Sequence, residues 1–160
     1  MISILFVCYG NICRSPMAEF VMKKMVSERN LSRHFQIASA ATSTEEIWNG
    51  VGNPVYPPAR EKLAEHDIDC GGKRAVQLVY SDYGKYDFFL GMDGANIRNM
   101  KQILHNDPEG KVYKLLSFAG TDRDISDPWY TRDFDATYRD VVQGCRAFLE
   151  YLLENGILVP

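Results

Sequence analysis

Apolar residues along this chain follow two spacings, and the spacing changes at regular intervals. Residues 2–7, ISILFV, form a short, partly β-branched apolar run that stops at a Gly10-Asn11 turn, which predicts a buried strand. From Pro16 to about Glu28, Met17, Val21 and Met25 recur every fourth residue while Ala18 and Phe20 widen the face, which predicts a helix with Pro16 in its first turn. FQIAS (35–39) predicts a second strand, and the glycines and prolines of 42–58 predict an irregular loop. A helix is expected from about Pro58 to Glu65, strands at YDFFLGMD (86–93) and KVYKLL (111–116), and a helix between them over 95–104. The longest pattern runs through Phe134, Tyr138, Val141, Val142, Cys145, Phe148, Leu149, Leu152 and Leu153, predicting a helix over 134–154 with Gly156 as its stop.

Strands alternating with helices imply parallel pairing and right-handed crossovers, hence a three-layer α/β fold in one domain over residues 1–160. Such sheets bind ligands beyond the carboxyl ends of their strands, where the loop after the first strand lies. Composition adds little: apolar residues at 46% and charged residues at 24% suit a folded domain. The net charge of −3 lacks the basic surplus of a nucleic-acid binder, so any phosphate site has to be local. ISILFV is too short for a signal core or a membrane span, which points to a cytoplasmic protein without a membrane partner. Cys8, Cys13, Cys70 and Cys145 do not resemble a secreted disulfide framework, so reduced thiols are expected.

The stretch VCYGNICRSPMAE, Val7 to Glu19, carries the candidate chemistry. A cysteine ends the strand, Gly10 and Asn11 tolerate left-handed backbone, and a helix starts just beyond Arg14. A loop curling from strand to helix turns the amides of Tyr9, Gly10, Asn11, Ile12 and Cys13 inward, and the helix N-terminus adds partial positive charge, making an anion nest. Arg14 can meet two oxygens of a tetrahedral anion with one planar guanidinium. Helix N-termini and adjacent cations lower thiol pKa values to about 3.5–7.5, which would make Cys8 a ready nucleophile. Expelling an alcohol from a phosphate ester wants a proton donor opposite the nucleophile. SDPWYTRDF offers Asp127, with Trp129 and Tyr130 beside it, although Asp-Pro pairs also simply start turns.

On VCYGNICRSPMAE, IASAAT (37–42), GNPVYPPARE (52–61), GMDGAN (91–96), DPWY (127–130) and GCRAFLEYLL (144–153), the chain resembles the low-molecular-weight protein tyrosine phosphatases along essentially its whole length. The resemblance implies a four-stranded parallel sheet flanked by helices, and hydrolysis of phosphotyrosine through a phosphocysteine with neither metal nor cofactor. It makes Cys8 the nucleophile, Arg14 the phosphate clamp, Asp127 the general acid and base, and Ser15 the hydroxyl that helps the sulfur leave. Ser15 also reads as a helix N-cap before Pro16. Asn11 and Ser39 resemble the loop brace, Trp48, Trp129 and Tyr130 the crevice walls, and Cys13 the thiol that traps an oxidised Cys8 as a disulfide. The chain departs from the pattern at Lys73 and Val76, where many members carry a histidine of that brace and an arginine. Implied partners are a phosphotyrosine protein and phosphate- or vanadate-like oxyanions, for a monomer or weak dimer.

Arsenate reductases of the same fold need a downstream cysteine pair, and residues 71–144 hold no cysteine. Arginine phosphatases tend to have threonine where Ile12 stands, and isoleucine suits a flat aryl ester. A phosphate-binding module without catalysis is disfavoured by Cys8, Arg14 and Asp127 together. His34, His66 and His105 form no metal-ligand spacing.

Overall fold

The computed structural model describes all 160 residues, Met1–Pro160. β1 (Ile2–Cys8) leads into α1 (Arg14–Glu28) and then β2 (Phe35–Ala41). A hairpin of β3 (Ile47–Trp48) and β4 (Val51–Gly52) precedes α2 (Pro57–Ala64). There follow β5 (Phe88–Gly91), α3 (Gly94–Ile103), β6 (Val112–Lys114), the single-turn α4 (Pro128–Thr131) and α5 (Phe134–Glu154). The sheet has four strands, all parallel, in the order β2-β1-β5-β6.

The alternation along β1 explains the layering. Ile4 and Phe6 bury against Met17 and Met22 of α1 and Phe148 and Leu152 of α5. Leu5 and Val7 point to the other face, where Phe89, Met100 and Leu104 make a smaller core beneath α3. Both faces of the strand are covered, so its sequence is a continuous apolar run rather than an alternating one. Each such side chain contributes about 1.5–3 kcal/mol by leaving water. α5 lies close to the 3-10 turn Leu115–Ala119 because a β-carbon at Gly144 would stand only 2.6 Å from the Leu115 Cγ.

The expected three layers and parallel sheet are present, and the differences are local. α1 starts at Arg14, not Pro16, so the anion loop is shorter than the sequence suggests. The loop expected over 42–58 contains the β3–β4 hairpin, turned by Asn49 and Gly50 with φ of 49° and 75°. Asn-Gly is the dipeptide that such a two-residue turn demands. The segment after Asp127 forms α4 instead of an open loop. No helix is long and apolar enough to cross a membrane. The carboxyl ends of β1 and β5, neighbours in the sheet, set Cys8 and Asp93 at the same edge.

Candidate active site

Between Cys8 and Arg14 the chain curls around a cavity of about 120 Å³ lined by Cys8, Tyr9, Gly10, Asn11, Ile12, Cys13 and Arg14. Asn11 takes a φ of 61°, the left-handed conformation asparagine tolerates better than most side chains. The curl is tied down on both flanks: Ser43 donates its amide and its hydroxyl to the Tyr9 carbonyl at 3.1 and 2.9 Å, and Tyr56 donates its amide to Ile12 at 2.9 Å.

The sulfur of Cys8 accepts the Asn11 amide at 3.3 Å and lies 3.0 Å from the Ser15 hydroxyl. The direction of that second contact follows from Asn11. The Val76 amide donates to Asn11 Oδ1 at 3.1 Å, which fixes the side-chain amide so that Nδ2 donates to Ser15 Oγ at 2.8 Å and Ser39 Oγ at 3.0 Å. Ser15 Oγ accepts from Asn11, and the sulfur is the one other hydrogen-bond partner of this hydroxyl, so its own proton is directed to the sulfur. Ser15 is therefore not a helix N-cap, a position held by Cys13, and its hydroxyl belongs to the sulfur.

Beneath this lies a buried carboxylate that sequence reasoning missed. Glu19 accepts from Ser39 Oγ at 2.5 Å, pairs with Lys23 at 2.7 Å and stands 3.8 Å from Lys73. Lys73 also donates to the Ser39 carbonyl at 2.9 Å, so the departure from the family's histidine falls directly on the brace. Burial pulls the Lys73 ammonium below its ordinary range, against the pull of Glu19. Val76 joins the brace through its backbone alone, half its side chain being exposed.

Arg14 is 3% exposed and divides its labour. Nη1 donates to Asp93 Oδ2 at 2.7 Å and to the Ile125 carbonyl at 2.8 Å, while the edge made by Nε and Nη2 has no hydrogen-bond partner within the chain. Burial works against its charge, yet Cys8, Asp93 and Asp127 outweigh that and raise its pKa. Asp93 is fixed in turn as the N-cap of α3, its Oδ1 accepting from the Asn96 amide at 2.8 Å. Its sequence signal was the D-x-x-N capping box at the end of a strand neighbouring β1.

Asp127 faces the same cavity, with Oδ2 3.5 Å from Arg14 Nη2 and Oδ1 accepting the Trp129 amide at 3.0 Å. One oxygen of this residue thus serves the turn while the other faces Arg14. Trp129 and Tyr130 line the opening, and Trp129 leans on Tyr56 with ring centroids 4.9 Å apart. Trp48 is not brought to the cavity: the β3–β4 turn carries it outward to 80% exposure. Glu45 and Glu46 occupy that wall instead. Cys13 lines the cavity, its thiol pushed far above the ordinary range by burial and then by Cys8. Cys70 and Cys145 are buried in the core.

The low molecular weight phosphotyrosine protein phosphatase family model matches residues 3–157. The low molecular weight protein-tyrosine-phosphatase PtpA of Staphylococcus saprophyticus is 35% identical over 159 residues, 99% of this chain and 98% of its own. Among solved structures, YfkJ from Bacillus subtilis matches with a TM-score of 0.90 at 30% identity over 97% of this chain and 96% of that one. SP-PTP, a low molecular weight protein tyrosine phosphatase from Streptococcus pyogenes, matches with a TM-score of 0.83 at 38% identity over 95% and 93%. Vibrio vulnificus Wzb in complex with benzylphosphonate matches at 0.81 and 28% over 94% and 99%. A Drosophila arginine phosphatase matches at 0.83 and 27% over 92% and 96%.

Proposed function

Because the chain belongs to the low-molecular-weight protein tyrosine phosphatase family, we propose that it hydrolyses protein phosphotyrosine and small aryl phosphates to tyrosine and phosphate. The observation that carries this reading is the convergence of Cys8 Sγ, the unbonded edge of Arg14 and the Asp127 carboxyl on one cavity. The phosphoryl oxygens lie against the loop amides and the Nε and Nη2 edge of Arg14, which holds the charge of the transition state without reorienting. Cys8 attacks phosphorus, the S–P bond forms as the P–O bond breaks, and protonated Asp127 gives its proton to the departing phenolate. In the second half, the Asp127 carboxylate takes a proton from water as that water attacks the phosphocysteine. The thiolate leaves under the Ser15 hydroxyl, 3.0 Å away.

Phosphoarginine is the rival substrate, given the arginine phosphatase among the similar structures. Ile12 on the cavity wall offers a guanidinium no hydroxyl and suits a flat ring, as do Trp129 and Tyr130. Cys13, on the lining of the same cavity, is the thiol assigned to condense with a sulfenic Cys8, losing water to form a disulfide that shields Cys8 from irreversible oxidation. All four cysteines are free thiols, in keeping with a cytoplasmic location. The test is to compare rates on phosphotyrosine, phosphoserine and phosphoarginine peptides in chelator. Phosphotyrosine should be fastest, and a faster phosphoarginine rate would overturn the substrate assignment.

A further inference from the structure

Glu45 and Glu46 stand on the wall of the catalytic cavity, and neither pairs with a cation of this chain. Glu46 is held in place. Asn53 donates its side-chain amide to Glu46 Oε1 at 3.1 Å and its backbone amide to the Glu46 carbonyl at 2.7 Å. A β-carbon at Gly10 would stand 3.2 Å from the Glu46 Cγ, so this side chain lies directly against the anion loop. Glu46, Ile12 and Trp129 also form the shared wall with a second groove of about 420 Å³, which continues past Pro54 and Tyr56 to Arg60. A chain entering the cavity by one residue has this groove available for a neighbouring residue.

The floor of the cavity is cationic and its mouth anionic. A dianionic phosphoryl group is held by the floor, whereas a residue flanking it meets Glu45 and Glu46 at the mouth, the groove's Arg60 and Glu61 adding one charge of each sign. We propose that Glu45 and Glu46 select phosphotyrosines flanked by lysine or arginine and disfavour those flanked by aspartate or glutamate. This rests on the phosphotyrosine reading above. Glu46, at the junction of cavity and groove, carries the larger share, and the more exposed Glu45 adds to it.

The test uses the whole protein and phosphotyrosine peptides identical except for lysine, alanine or glutamate on both sides of the phosphotyrosine. At low salt, kcat/KM should favour the lysine peptide over the glutamate peptide by about tenfold, and the ratio should shrink in about 0.5 M salt because exposed pairs are screened. Glu45→Gln with Glu46→Gln should bring the ratio to about one, and Glu46→Lys should invert it. Hydrolysis of all three peptides at equal kcat/KM, or a ratio unmoved by these substitutions, would sink the selectivity while leaving the phosphatase reading intact. Turnover of a phosphoarginine peptide with none of any phosphotyrosine peptide would remove both.

Discussion

The floor and the lip of this cavity are built by opposite rules. In the floor, Asn11, Arg14, Ser15 and Ser39 are at most 3% exposed; Asn11 donates to Ser15 and Ser39, and Arg14 donates to Asp93 and the Ile125 carbonyl. At the lip, Tyr130 is 82% and Trp129 47% exposed, and Glu45 is open to solvent. Burial without a partner costs a polar group about 1–3 kcal/mol, so a connected floor admits few arrangements. Exposed side chains carry no such constraint. The proposed chemistry needs the floor's positions held to fractions of an ångström, and the proposed peptide preference lies in the lip.

Substitutions should separate the two regions. Cys8→Ser should abolish phosphate release from an aryl phosphate; measurable turnover at the wild-type rate would refute the nucleophile. Asp127→Asn should slow kcat by about 10²–10⁴-fold with phenyl leaving groups. Its effect should shrink for esters whose alcohol departs without a proton, and an undiminished loss there would argue for a purely structural Asp127. Arg14→Lys should cost about 10²–10³-fold, because an ammonium cannot bond Asp93 and Ile125 and still present a planar edge to phosphate. A loss under tenfold would mean the clamp is not bidentate. Asn11→Ala should lower stability by about 1–3 kcal/mol, read as a Tm drop of several degrees, since it strips partners from Val76, Ser15 and Ser39. At the lip, Trp48→Ala should leave both Tm and kcat/KM within about twofold of wild type; a large loss of activity would return Trp48 to the site.

The sequence made the floor legible and the lip obscure for physical reasons. A strand, a loop with glycine and asparagine, and a helix packed on that strand are local features, so Cys8, Asn11 and Arg14 could be named from one short stretch. Asp127 could be named only because a motif flagged it, since its partnership with Arg14 bridges more than a hundred residues. Asp93 and Glu19 were missed because each looks like an ordinary helical acid, one a cap and the other an i,i+4 partner of Lys23. Trp48 went astray because one Asn-Gly turn sends its side chain outward, bringing two glutamates to the wall it was expected to form. The layers of the fold, by contrast, follow from apolar spacing alone. Their ends shifted by only a few residues where capping and 3-10 turns decided the boundary.

Because Asp93 and the Ile125 carbonyl hold Arg14 from within the chain, the proposed clamp is as well set for the orthophosphate that ends a cycle as for the ester that begins it. Under the proposed reaction, accumulating phosphate therefore competes with the ester for one seat and slows further turnover.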